Sequence, residues 1–335
     1  MHTPERHGII PKHYLVTHYS VTYKTLEGEN TILMPNRFRQ ELDGHAIRKL
    51  AIKKLQEELG GIDFRIVRIE KHGDCVYCGN FGKLERSHVI GNTVFSKILK
   101  DSENGHAIKI SLSAEQKIGK SNDSWAKEML CNTCESKFNS EFENYSIYLL
   151  REKQPGVIVS KFSSGVSFQK VDTKKIFLYV LSILWRAAYS DHKAYANVII
   201  NYGMDSYLRW CFQNNRKTHS LTYSIKISKL VDKTNYFNEK KLKNFIFNPF
   251  VRKIDNKNAS YCMLYEGYFF EVFLKALPFK QRNGQGFIDF KKNILFVPYI
   301  DVFDIPEVYE YFGRAVAYHH ATNPPCKANP TIRKS

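Results

Sequence analysis

The chain has 335 residues, 43% of them apolar, and a formal net charge of +17 with a pI near 9.4. That length allows about two or three domains, and the apolar content excludes a chain too polar to fold. The positive excess points to a polyanionic partner, nucleic acid first. The most apolar helix candidate, Ile176 to Trp185, is far short of the ~20 residues of a membrane span. The first residues hold histidines and prolines but no apolar leader core. A cytoplasmic protein with no membrane partner is therefore expected.

In chain order, residues 1–70 read as an N-terminal ββαβ unit. Tyr14 to Tyr23 is rich in β-branched and aromatic residues, as a strand is. Thr31 to Met34 starts a second strand, stopped by Pro35-Asn36. Asp43 is a candidate N-cap for a helix from Gly44 to Leu59, which carries Ile47, Leu50, Ala51, Leu55 and Leu59 on one face. Gly60-Gly61 ends it, and Phe64 to Ile69 supplies a third strand. Such a unit could bind nucleic acid or serve as a structural or oligomerisation element.

Residues 71–153 form a cysteine module. It holds Cys75-Val-Tyr-Cys78 and Cys131-Asn-Thr-Cys134, separated by 52 residues. Between the pairs, residues 93–128 form a lysine-rich insertion. The other cysteines, Cys211, Cys262 and Cys326, are scattered, which fits metal binding in a reducing compartment better than a disulfide framework. Each Cys-x-x-Cys knuckle presents two thiolates at the bite zinc needs, so Cys75, Cys78, Cys131 and Cys134 are the expected ligands of one structural Zn²⁺. Gly79 suits the permissive turn after the first pair. From Cys131 onward, Phe138, Phe142, Tyr145 and Leu149 recur at helical spacing.

Residues 154–320 read as a larger mixed C-terminal domain, with 321–335 as a flexible tail. A β-like stretch, Val157 to Val171, precedes a buried helix from Lys174 to Tyr189. Arg216 to Lys257 holds eleven Lys or Arg against three acids. Tyr223, Tyr236, Phe237, Phe245, Phe247 and Phe250 interleave with them. Two readings stand for this stretch. Its lysines, Lys240, Lys241 and Lys243 among them, grip nucleic acid while the rings stack on bases; or the rings are core and the lysines a solvated rim. Tyr261 to Phe273 and Gly286 to Val297 read as further strands.

Knuckle, strand pair and a helix bearing the second cysteine pair is the treble-clef order. From Asp74 to about Tyr145 the chain resembles the zinc-ribbed HNH (ββα-metal) endonucleases. The residues that carry the likeness are Cys75-x-x-Cys78, Ser87-His88-Val89-Ile90 and Leu130-Cys131-x-x-Cys134-Glu135. The chain is also similar to uncharacterised bacterial proteins with a Ser-His-Ile-Ile-Pro step and a Cys-Glu-x-x-Phe helix, where it has Gly91 in place of the proline. The resemblance implies that His88 is the general base that activates water. It places Glu135 where the family has a histidine on the catalytic cation, here Mg²⁺ or Mn²⁺, with Glu85 or Glu143 as further ligands. Ser87 stands where the family has an acid, and the middle asparagine has only Asn122 as a distant counterpart. His88 could instead brace the zinc loop or touch nucleic acid. His72, His106 and His319-His320 are weaker candidates.

The expected fold is therefore α+β, with a treble-clef zinc module between a ββαβ unit and a mixed domain. The expected function is HNH-like, metal-dependent cleavage of nucleic acid, DNA before RNA, with host defence as a setting suggested by analogy. A zinc-scaffolded binding protein without catalysis, or a component of a toxin or defence complex docking a protein partner, is the alternative.

Overall fold

A computed structural model describes residues 8–38, 40–102, 107–109, 119–214, 223–255, 259–274, 277–289 and 291–322. The fold is α+β, as expected. Strand β1 (His18–Thr25) turns at Leu26-Glu27 into β2 (Gly28–Pro35), and helix α1 (Gly44–Leu59) follows. The Asp43 carboxylate accepts the Ala46 N–H, and Gly60 closes the helix in the left-handed region at φ 58°, the usual division of labour between cap residues. Strand β3 (Arg65–Asp74) pairs antiparallel with β1, and β4 (Phe81–Lys83) with β3. The resulting sheet has the order β2-β1-β3-β4. Tyr19, Val21 and Tyr23 share the core with Ile47, Ala51 and Leu55 of α1. Two sequence readings shift here: the first strand starts at His18 rather than Tyr14, and the third runs on to Asp74. The 70/71 division thus falls inside β3, and the first cysteine pair sits in the turn between β3 and β4.

The next strands carry the second half of the cysteine module. Strand β5 (Glu85–His88) and helix α2 (Asn92–Asp101) come first. Short strands β6 (Ala107–Lys109) and β7 (Gly119–Ser121) pair with each other, and β8 (Ala126–Leu130) returns to pair antiparallel with β5. Helix α3 (Asn132–Phe138) passes through one π turn, Asn139–Glu143, into α4 (Asn144–Leu150).

Beyond it, β9 (Ile158–Phe162) and β10 (Gly165–Gln169) form a hairpin. Helix α5 (Thr173–Tyr189) is buried nearly all round, and α6 (Tyr202–Gln213) packs against it. Strand β11 (Ser224–Val231), the short helix α7 (Glu239–Leu242), and strands β12 (Phe247–Lys253), β13 (Ala259–Tyr265) and β14 (Tyr268–Phe273) follow. The chain then runs through α8 (Phe279–Arg282), β15 (Ile294–Asp301) and α9 (Pro306–Thr322). These strands form one seven-stranded sheet, β12-β13-β14-β11-β15-β10-β9, in which only β11 and β15 are parallel.

Alternate residues of β13 and β14 enter two separate cores. Met263 and Phe270 join the core that includes α5, while Leu264 and Phe269 join Val308 and Tyr311 of α9. The β13–β14 turn, Glu266-Gly267, has φ of 54° and 78°, as a two-residue type I′ hairpin requires. Its Glu266 carboxylate is 1% exposed and takes Lys97 at 3.0 Å and Arg151 Nε at 3.1 Å, tying the cysteine module to the large sheet. Among the described residues no helix is long and apolar enough to cross a membrane.

Candidate metal centre and the strand beside it

The four predicted cysteines converge. Their Sγ atoms all lie within 4.8 Å of one another, with Cys78 and Cys131 at 3.8 Å. Zinc–sulfur bonds of about 2.3 Å give a tetrahedron edge of about 3.8 Å, so the set could hold a metal ion such as zinc. Local backbone geometry builds it. The Gly79 N–H donates to the Cys75 carbonyl at 2.8 Å, closing the knuckle, and Gly79 takes a φ of 76° that glycine adopts without strain. Val76 N–H donates to Met129 O at 3.1 Å, which brings the first pair to the end of β8, where Cys131 caps α3. Burial resists ionisation of Cys75, but backbone N–H groups of Cys78, Cys131 and Tyr77 outweigh it and hold the thiol below its ordinary value. Burial and the neighbouring sulfurs push Cys134 up. Four thiolates at this spacing repel one another, and a divalent cation removes the conflict.

The centre is locked into the rest of the fold by rings. Tyr77 meets Phe138 and Trp185 edge-on at 5.1 and 5.8 Å, and Arg209 donates to the Tyr77 carbonyl at 2.9 Å.

The strand beside the centre separates the remaining predicted residues. On β5, Ser87 is fully buried; its hydroxyl accepts the Leu130 N–H at 3.3 Å. Glu85 stands at the far end of the strand, its carboxylate 3.7 Å from Lys83. His88 Nε2 lies 3.0 Å from the Ser124 hydroxyl. Burial, then the positive Arg86 and Arg186, push the imidazole down to about 4. Those two guanidiniums are the only charges that shift it. Among the described residues no carboxylate is hydrogen-bonded to the His88 ring.

Glu143 lies elsewhere. The π turn rolls it inward, where its carboxylate accepts from Arg186 Nη2 at 3.2 Å, while Nη1 of the same arginine donates to the His88 carbonyl at 2.7 Å. Arg186 is 1% exposed. It therefore clamps α5 to β5 and engages Glu143, one of the carboxylates expected to hold a cation. Glu143 also explains Gly91: a Cβ there would stand 2.2 Å from Glu143 Oε1. Glu135 is close enough to raise Glu143, and its Oε2 is buried without a hydrogen-bond partner among the described residues. Among the described residues the four cysteines are the only group of three or more metal-capable side chains that converge.

Sequence reading missed three groups here. Arg186 carried a signal, since an arginine inside an otherwise apolar helix must find a partner. Asp123 and His192 form a pair at 2.9 Å; because His192 Nδ1 accepts the Ala194 N–H at 3.1 Å, its Nε2 carries the proton to Asp123. Arg86 lines an open pocket of about 490 Å³ with Lys71, Lys127 and His192 and with the acids Glu41, Asp43, Asp123 and Glu128. Asn122 is exposed. His106 lies outside the described residues.

Lys240, Lys241 and Lys243 fall on or beside the four-residue α7. Lys243 pairs with Glu239 at 2.7 Å, and Lys240 stands 3.9 Å from Asp101. Of the interleaved aromatics, Tyr223, Phe247 and Phe250 are buried, Phe237 and Phe245 pack on the α9 core, and only Tyr236 is open. The core-and-rim reading of that stretch fits these positions.

No protein-family model, curated protein or solved structure matches the chain.

Proposed function

We propose that this protein is a zinc-scaffolded nucleic-acid-binding protein built on an HNH-like frame whose cation site has been replaced by an ion pair. One observation carries the choice of binding over cleavage: the buried Arg186 takes the Glu143 carboxylate and the His88 carbonyl together. Two further features support it. Among the described residues no carboxylate is hydrogen-bonded to the His88 ring, and Ser87 is occupied by the Leu130 N–H. The net charge of +17 supplies the attraction to phosphate.

A second reading, metal-dependent cleavage, is favoured by His88 itself. The ring is held neutral at pH 7, the form a general base needs, although a pKa near 4 makes it a weak one. The test is one panel. Zinc-loaded protein is incubated with plasmid, linear DNA and RNA across Mg²⁺, Mn²⁺ and Ni²⁺, alongside His88→Ala. Binding without cleavage is expected. Cleavage that His88→Ala abolishes would replace the binding reading with the nuclease one. Failure to bind any nucleic acid at low salt would remove both.

A further inference from the structure

The four-stranded sheet has one covered face and one open one. Register places His18 opposite His72, and His72 opposite Lys83, on the face away from α1. Phe81 belongs to the same face, two residues from Lys83. Its ring meets His18 at 5.4 Å and His72 at 6.1 Å, making a row of three rings across β1, β3 and β4. Phe81, on the edge strand β4, is 49% exposed although both rings contact it from the sheet side. Along β3 the cations lie to one side of Phe81: Lys83 stands opposite His72 and Arg68 four residues further on, with side chains 50% and 61% exposed, while the exposed Asp74 stands opposite Phe81 itself. Glu70 lies between the two cations, 3.5 Å from Arg68 and 3.1 Å from Lys83.

We infer that this open face is a docking surface for single-stranded nucleic acid, with a base stacked on Phe81 and phosphates held by Arg68 and Lys83. The inference rests on the proposed nucleic-acid binding and names where it occurs. An exposed aromatic with two cations along one side fits an unpaired base and its backbone, because every base offers a π-face and the phosphates of the adjoining nucleotides would run past Lys83 and Arg68. A duplex hides its base faces and cannot use the ring row. The first cysteine pair forms the turn between β3 and β4, with Cys75 N–H donating to Asn80 O at 3.0 Å one residue before Phe81. A metal there would fix the platform. Glu70 acts as a built-in competitor for both cations, with Glu85 a second, more distant partner of Lys83 at 3.7 Å, so the Glu70 carboxylate weakens phosphate binding.

The test is titration of the full zinc-loaded chain with oligo-dT, oligo-U and a duplex of equal length, with zinc content measured on every variant. Phe81→Ala should weaken single-strand binding by roughly 5- to 100-fold, the range of one base–aromatic stack. Phe81→Trp should keep it. Glu70→Gln should tighten binding and steepen the log–log salt slope by about 0.7 for each cation released to a phosphate. Wild-type binding that neither Phe81→Ala nor Glu70→Gln changes would overturn the platform while leaving nucleic-acid binding intact. A preference for duplex would overturn the single-strand assignment. No binding by the wild type would overturn the platform and the parent reading together.

Discussion

The two large sheets of this protein differ in how many faces they cover. In the seven-stranded sheet, β13 and β14 feed alternate side chains into two cores, one with α5 and one with α9. Nearly every position of β13 and β14 is committed to packing, while the edge strand β9 leaves Ile158 and Phe162 about half exposed. In the four-stranded sheet, α1 covers one face only, and the other carries Leu33, Arg68, Phe81 and Lys83 into solvent. Strands enclosed on both sides, as β13 and β14 are, can hold a fold together but have no surface left to recognise anything. A sheet enclosed on one side can do both, if something else stiffens its free end. Here the cysteine cluster lies at the tip of the β3–β4 hairpin.

The largest way to break that contrast is to remove the pin. Structural zinc contributes about 10 kcal/mol or more in small modules, so Cys131→Ser should abolish metal binding and unfold residues 71–150. The seven-stranded sheet should survive longer, because its cores do not include the cysteine ligands on the α9 side. Hydrogen exchange resolved by segment checks this; uniform loss of protection across both sheets would erase the distinction.

Two substitutions of intermediate size probe the enclosed regions. Phe270→Ala deletes a fully buried ring and should cost about 3–5 kcal/mol. Arg186→Met leaves Glu143 buried beside Glu135 without its counter-charge, and should cost a similar ~3–5 kcal/mol. The second cost depends on pH. Burial already raises the Glu143 pKa above its ordinary value, and losing Arg186 raises it further. Protonation then relieves the penalty, so the variant should recover relative to wild type as pH falls through that raised value. Denaturant melts at several pH values measure it; a pH-independent difference would mean the arginine matters only as packing.

How much of this was legible in the residues follows a simple division. Helix α1 was readable from end to end because its signals are local: the Asp43 cap, apolar residues on one face and the Gly60 stop. The cysteine cluster was readable because knuckle spacing is local too. The Arg186–Glu143 clamp was not, because it depends on a π turn that rolls Glu143 inward and on a helix more than thirty positions away. Phe237, Phe245, Phe247 and Phe250 sat beside lysines in sequence, but they pack in the core that α9 shares, and no local pattern distinguishes a stacking ring from a core ring. The open sheet face escaped notice for the converse reason. Its ring row comes from three strands, and only the register of β1, β3 and β4 brings His18, Phe81 and His72 together.

A smaller effect comes from His88. Its folded pKa, near 4, lies below the ordinary histidine value. Above that ordinary value, ~6.5, both folded and unfolded states hold it neutral and stability is full. As pH falls from there toward 4, the unfolded chain takes up a proton the folded one refuses, and stability is lost. His88→Gln should flatten that part of the pH profile. His192 and His72 are shifted in the same direction, so the slope should shrink rather than vanish. Metal loss at acid pH affects both proteins, which makes the difference between them the quantity to read. Identical profiles would mean His88 is as exposed to solvent in the fold as in the unfolded chain.

The smallest expected effect is the sharpest test of the two-sheet contrast. Leu33 and Leu264 are the same residue on strands of the two sheets, one 51% exposed and the other fully buried. Leu264→Ala removes packing against the α9 core and should cost about 2–5 kcal/mol. Leu33→Thr, on the edge strand β2, introduces a β-branched side chain where strands favour one and should stay within about 0.5 kcal/mol. Phe81→Ala should fall between them and close to the lower limit, about 1 kcal/mol, since half of its ring already faces water. Thermal melts of the three variants in one buffer decide it. If Phe81→Ala destabilises as much as Leu264→Ala, the ring row is a third core and the open face has no binding role. If it melts near wild type, Phe81 is held in water at little benefit to stability, which is where a recognition residue is found.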